Sequence, residues 1–161
     1  KVLFTRDSEI KKIRKKAFYE CATLNTILLP PKVETIEDRA FYKCKELKKV
    51  RFPKGLKKVG KEAFYFCGLE SLELPDTVEV LDEKAFFKCI YLTVVKLPES
   101  IRRIEKWVFH GCARLQVLEI RHDPEYIGEW IINKAARIRC YRGSKVDAYC
   151  QESGFTVEYI E

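Results

Sequence analysis

The stretch Ala40-Phe41-Tyr42-Lys43-Cys44-Lys45-Glu46-Leu47-Lys48-Lys49-Val50-Arg51-Phe52-Pro53 decides the fold, because it recurs along the chain. Its Cys belongs to a series at Cys21, Cys44, Cys67, Cys89 and Cys112, with gaps of 23, 23, 22 and 23 residues. The words before the other four Cys are Ala17-Phe18-Tyr19-Glu20, Ala63-Phe64-Tyr65-Phe66, Ala85-Phe86-Phe87-Lys88 and Val108-Phe109-His110-Gly111. A degraded copy follows at Ile131-Ile132, which sets Ala135 in the Cys column. A fixed period of this length is the mark of stacked repeats. The short copy loses one residue just after Cys67, at Gly68, and a deletion at a turn is what a stacked coil tolerates best.

After each Cys comes an L-x-x-L-x-L string: Leu24/Ile27/Leu29, Leu47/Val50/Phe52, Leu69/Leu72/Leu74, Leu92/Val95/Leu97 and Leu115/Leu118/Ile120. Each string reads as a strand. Pro30, Pro53, Pro75 and Pro98 stand directly after the first four. Proline has no N–H for a sheet ladder, so it ends each strand at about five residues. A second apolar pair then recurs as Val33/Ile36, Leu56/Val59, Val78/Leu81 and Ile101/Ile104. The Ala-Phe word reads as a short helical turn, because Ala, Phe and Cys at i, i+1 and i+4 point to one side. No unit of this size buries its own apolar face, so each is buried against the next. Identical positions should lie about 4.8 Å apart, and six turns would make a stack of roughly 29 Å.

The pattern I/V-x-x-x-A-F-x-x-C-x-x-L-x-x-I-x-L-P resembles the BspA-type leucine-rich repeats of surface proteins from bacteria and some protozoa. The match covers almost the whole chain in five near-complete copies. Its implied fold is an α/β leucine-rich-repeat solenoid of about six right-handed coils of 22–23 residues, with a parallel sheet, short helical turns and a C-terminal helix–strand cap. One departure from better-known leucine-rich repeats is that Pro, not Asn, stands at the bend after the strand, so the backbone there must be satisfied without an Asn ladder. By resemblance the function is non-catalytic protein binding, in adhesion or host and matrix contact, at the cell surface or outside the cell.

The expected layout is one solenoid domain over 1–161, with a truncated first coil at 1–20, repeats over 21–137 and a cap over 138–161. Ile10 and Ile13 fill the second apolar pair of the first coil. The chain starts at Lys1 in mid-repeat and contains no Met, which leads to the expectation of further repeats or a cap upstream. The open first coil suggests a monomer or weak self-association. At the other end, Ile138–Tyr141 begins a strand, Ser144 reads as a helix N-cap with Asp147 at N3, and Gly154 reads as the helix stop. Val146, Tyr149 and Cys150 share a helix face, and Phe155, Val157 and Tyr159 alternate like an edge strand.

The chain of 161 residues is 47% hydrophobic, which excludes disorder, and it holds no apolar run of about 18 residues that could span a membrane. It contains no phosphate loop, H-E-x-x-H, C-x-x-C, G-x-S-x-G or N-x-S/T sequence, so no enzyme class and no cofactor is indicated. The Cys column, Cys21 to Cys112, reads as a buried packing slot, since free Cys behaves as a small hydrophobe. Cys140 and Cys150 leave a cap disulfide open. His110 occupies the column of Tyr19, Tyr42, Tyr65 and Phe87 and reads as a partly buried ring. His122 beside Asp123 gives only a weak pointer to a metal.

Binding residues are expected on two surfaces. Within each string the third and fifth positions face outward on the concave side, and the second lies at its edge. They run Asn25, Thr26, Leu28; Lys48, Lys49, Arg51; Glu70, Ser71, Glu73; Thr93, Val94, Lys96; Gln116, Val117, Glu119. Basic and acidic rungs adjoin, so the face suits a shaped protein ligand or pairs internally as solvated sheet. The residue before each Ala-Phe word is Lys16, Arg39, Glu62, Lys84, Trp107 and Trp130. Trp107 and Trp130, one coil apart, form an exposed pair there unless the segment near Pro124–Gly128 folds over them or the degenerating last coils bury them. The net charge of +7 divides into +11 over residues 1–61 and −4 over residues 62–161. The basic half could attract a polyanion, although no nucleic-acid recognition motif accompanies it. The alternative to both is a structural spacer.

Overall fold

The computed structural model describes residues 2–161. Its elements in chain order are β1 (Lys12–Ile13), β2 (Thr26–Leu28), β3 (Thr35–Ile36), β4 (Lys49–Arg51), β5 (Lys58–Val59), β6 (Val80–Leu81), β7 (Val94–Lys96), β8 (Arg103–Ile104), β9 (Val117–Glu119), β10 (Tyr126–Ile127), β11 (Arg137–Tyr141), α1 (Lys145–Ser153) and β12 (Thr156–Ile160). They form a solenoid of about six turns in which every paired strand is parallel.

Each coil has three sides. The L-x-x-L-x-L strings form the first, with strands β2–β4 and β7–β9–β11–β12. The strands cover three residues in the repeats rather than about five. The second apolar pair forms a sheet of its own, which the sequence pattern did not suggest. It runs unbroken through six two-residue strands, β1–β3–β5–β6–β8–β10, with Ile13, Ile36, Val59, Leu81, Ile104 and Ile127 in register. Its strands are short because only one residue of each faces inward. At the bend between these two sides, the Pro carbonyl accepts the N–H three residues on, as in Leu56 to Pro53 at 3.2 Å.

The third side is the Ala-Phe word, and it is a chain of turns rather than a helix. Successive N–H groups point in alternate directions. Ala40, Tyr42 and Cys44 donate three residues back within the coil, to Glu37, Arg39 and Phe41. Arg39, Phe41 and Lys43 donate instead to the next coil, at Lys61, Ala63 and Tyr65, over 2.7–2.9 Å. The alternation needs a left-handed residue before Ala and another before Cys. They are Arg39 and Lys43 in this coil, with φ of 55° and 56°. An L-residue there costs about 1–2 kcal/mol, and the inter-coil bonds offset it. Only Gly111, at φ 79°, is a glycine in the position before Cys.

The interior is a set of columns. Phe41, Phe64, Phe86 and Phe109 are fully buried and stack at 4.9–5.3 Å with planes within 7°. The Cys column lies beside them, and its role is more specific than packing. From Cys44 onward each thiol of the column donates back to the Phe carbonyl of the preceding coil: Cys44 to Phe18 and Cys67 to Phe41 at 3.0 Å, Cys89 to Phe64 and Cys112 to Phe86 at 3.2 Å. Those carbonyls receive no N–H from a neighbouring coil. A small apolar side chain with a donor at its tip suits that slot, and Cys supplies both properties.

Two repeats depart from the lattice. The third string, Leu69 to Leu74, joins no sheet. Gly68 lies so close to the preceding coil that a Cβ would overlap the Lys45 carbonyl oxygen, and this coil is the one shortened by a residue. In the last copy, Ala135 does not fill the Cys column; it is exposed, and Ala136 is buried instead. Ala136 N–H bonds Asn133 C=O just as Leu115 N–H bonds Cys112 C=O, so this coil is cut short before the strand. The Asn133 side chain then accepts the Gly111 N–H at 2.9 Å in place of the backbone carbonyl used by the earlier coils.

The C-terminal cap follows the sequence pattern closely. Ser144 accepts from the Asp147 N–H at 3.1 Å, and Gly154 closes α1 at φ 74°. Asp123 adds a second cap by accepting from the Lys145 and Val146 N–H groups at 3.0 and 3.3 Å. Strand β12 lies at the sheet edge against β11.

Candidate functional site

The concave side gathers four of the expected residues around one defect. Because the third string leaves the sheet, β4 and β7 have no partner strand between them. Among the described residues, one backbone bond joins that string to the second, from Glu70 N–H to Lys48 C=O at 3.2 Å. A crevice of about 400 Å³ lies on one side of the defect, lined by Lys49, Arg51, Ser71 and Glu73 with Val50 and Phe52. A second, of about 370 Å³, lies on the other side, against Ser71, Glu73, Val94 and Lys96. Lys49, Arg51, Glu73 and Lys96 therefore converge on this defect. Lys48 and Glu70 stand beside it, 4.0 Å apart and both well exposed. An exposed pair at that distance contributes little, so both remain available to a partner.

The concave side closes toward the cap. Val117 and Glu119, expected to face outward, are buried. Glu119 is 4% exposed and accepts from Arg121 at 3.0 Å and Arg139 at 3.2 Å, while Arg139 also reaches Glu158. Burial pushes this carboxyl up, but the two guanidiniums together outweigh it and hold the group below its usual range. The outer surface of the last rungs is thus an internal ion-pair network.

The turn side carries an outer aromatic ladder. Tyr19, Tyr42, Tyr65 and Phe87 stack at 4.7–5.2 Å, with each ring covering the next. The ladder loosens at His110, where the spacing widens to 5.8 Å and the plane tilts by 30°. No ring follows, because Asn133 holds the next position. A groove of about 520 Å³ opens there, lined by Lys84, Phe87, Trp107, His110 and Trp130. Trp130 is 45% exposed, with its edge contacts made to His110 and Phe155. Trp107 is half-buried beneath Lys84 and Lys106, whose Nζ atoms lie 4.7 and 4.8 Å from its ring. The column is less uniformly solvent-facing than expected: Glu62 is 7% exposed, held by Arg39 through two bonds of 3.1 Å. The sequence marked the two Trp but not Lys84, Phe87 and His110 as their companions. The signal was present, since all three lie one column or one coil away.

The basic residues of the first half do not form one stripe. Lys48, Lys49 and Arg51 face the concave side, Lys12 and Lys58 lie on the second sheet, and Lys16 and Lys43 lie on the turn side. Lys58 and Lys61 are already paired with Asp82 and Glu83 at 3.6 and 3.5 Å.

All seven Cys are free thiols, Cys140 and Cys150 included. Burial pushes the Cys67 and Cys89 thiols well above the ordinary range, and Cys112 and Cys150 up to about 12. Nucleophilic chemistry needs the thiolate, which such burial suppresses. His122 lies 2.7 Å from the Ile101 carbonyl through Nε2, and Asp123 is the helix cap. Among the described residues, no group of three His, Cys, Asp or Glu side chains is placed to hold a metal ion. No described helix is long and apolar enough to cross a membrane.

The fold matches known solenoids. The T. pallidum leucine-rich repeat protein TpLRR superposes with a TM-score of 0.67 at 21% identity, over 92% of this chain and 79% of that one. The pneumococcal vaccine antigen PcpA gives 0.66 at 17% identity, over 85% of this chain and 42% of that one. A leucine-rich repeat protein from Bacteroides ovatus gives 0.52 at 20% identity, over 83% and 44%. A search of curated protein sequences finds no match. The model of the BspA-type leucine-rich repeat region matches six copies over residues 11–139, so the chain belongs to the BspA-type leucine-rich repeat family.

Proposed function

We propose that this chain is a non-catalytic protein-binding solenoid of a cell-surface or secreted protein, and that its partner docks on the concave side across the defect at the third string. The observation that carries this reading is the pair of crevices between β4 and β7, ringed by Lys49, Arg51, Glu73 and Lys96. A break in a parallel sheet leaves strand edges with unused N–H and C=O groups, and an extended peptide satisfies such groups. Alternating charge around the break favours a partner of mixed charge over a uniform polymer. The scattered basic residues point the same way. A non-catalytic role agrees with thiols buried at Cys67, Cys89, Cys112 and Cys150 and a His and Asp engaged in packing and capping. The surface location rests on the family, whose members include surface proteins, and we take the coils as right-handed, as parallel crossovers almost always are.

The test is selection of extended peptides from a displayed random library against the folded chain. Changing Lys49 and Arg51 to Glu should weaken the selected peptides about tenfold, or about 1.4 kcal/mol, with unchanged thermal unfolding. Unaltered binding would reject the site. Heparin is the counter-probe: tight binding that collapses between about 50 and 200 mM salt would favour a polyanion ligand instead.

A further inference from the structure

The end of the aromatic ladder explains why a groove opens where it does. Along most of the turn side the ring faces are spent on one another, at 4.7–5.2 Å. At His110 the stacking ends, and the apolar surface that the next ring would have covered is left open beside Trp107 and Trp130. Both Trp sit on left-handed backbone, with φ of 63° and 53°. That conformation is least suited to bulky side chains. The other coils fill the same position with charged residues. Trp130 stands there at 45% exposure.

The charge around the groove is one-sided. No carboxylate lines it. Lys84 lines it and has no ion pair among the described residues, whereas Lys106 is held 3.8 Å from Glu83 and Lys134 donates to the Ser153 carbonyl at 2.5 Å. Lys88, at the rim over Phe87, also has no ion pair among the described residues. His110 adds a buried Nδ1 with no hydrogen-bond partner. A volume of about 520 Å³ is that of an ordinary ligand pocket and accommodates one large side chain with its flanking backbone.

We propose that this groove is a second subsite of the protein-binding solenoid, recognising an acidic peptide segment that carries an aromatic anchor. The anchor lies against Trp107 and Trp130, and a neighbouring carboxylate meets Lys84. The proposal rests on the reading of the chain as a protein-binding module. It differs in place and chemistry from the concave defect, which takes a partner of mixed charge.

The experiment uses the whole 161-residue chain and three acetylated, amidated probe peptides. One has a phenylalanine between two glutamates, one a phenylalanine between two lysines, and one a serine between two glutamates. Tryptophan fluorescence and indole N–H chemical shifts report binding. The first peptide should bind, and the other two at least tenfold more weakly. Trp130→Ala and, separately, Lys84→Glu should each reduce binding at least tenfold with the thermal transition retained, while Lys84→Arg should keep it. The Lys49→Glu, Arg51→Glu variant should bind this peptide as the parent does, which separates failure here from failure at the concave side. Equal binding of the lysine peptide, or binding unchanged by both Trp130→Ala and Lys84→Glu, would overturn the proposal. So would tighter binding of an oligomer of a uronic acid at the same indole signals, which would make the ligand an acidic glycan.

Discussion

The two stacks of strands in this solenoid respond differently to the same missing residue. The sheet built from the second apolar pair passes through the short coil with its register kept, Lys58 on Val80 and Val59 on Leu81. The concave stack breaks there, and β4 and β7 stay apart. The deletion lies at Gly68, directly before the third string and well before Val78, so its effect falls on the concave side. The core is untouched: Phe64 and Phe86 stack across the short coil at 5.3 Å and 5°. One sheet and the columns hold the stack together, so the other sheet can vary without loss of the fold.

The largest expected effect comes from removing what both stacks share. Phe64→Ala should cost about 3–5 kcal/mol in urea denaturation and release both sheets together; one sheet surviving would show that the stacks are energetically separate. Gly68→Ala should cost about 1–3 kcal/mol, because the methyl group meets the Lys45 carbonyl. Hydrogen exchange should then rise in β4 before β5 and β6, and a uniform rise would remove the distinction between the two stacks. Cys89→Ala takes a donor from the Phe64 carbonyl, and a loss of about 1 kcal/mol is expected in the same measurement. Lys88→Gly should act in the opposite direction, stabilising by up to about 1 kcal/mol, since its φ of 57° suits glycine. The smallest effect concerns acid. The Glu119 carboxyl is held below its unfolded range, so its contribution is present at neutral pH and lost as pH falls through the lowered folded value. Glu119→Gln should therefore flatten the acid limb of the stability profile, with the change confined to the concave strands near the cap.

The repeat itself was legible because periodicity is a property of the sequence alone. The columns Phe41 to Phe109 and the Cys series could be read as buried without coordinates. The cap was equally legible, since Ser144, Asp147 and Gly154 are local signals. Three features were not. The Ala-Phe word looked helical because Ala, Phe and Cys share one side, but its alternate N–H groups are taken by the next coil, an interaction that no local pattern reveals. The second sheet was hidden because a two-residue strand leaves no alternation to detect. Ala135 was placed by counting, and counting fails where a coil is cut short. At the concave side, Lys49, Arg51, Glu73 and Lys96 were identified by their outward positions, while the defect that draws them together depends on how the short coil packs. Trp107 and Trp130 were likewise visible, but the groove beside them exists only because a ring ladder ends at His110.

The direction of the inter-coil hydrogen bonds has a mechanical consequence. These bonds run along the stack, so tension applied between the two ends loads them one coil after another rather than all at once. Each coil that peels away frees 22–23 residues, on the order of 75 Å of contour length. A stack of such coils under tension would lengthen in near-equal steps and absorb work at each one. The coil without a concave strand, held by fewer bonds, would be the first to yield within the stack.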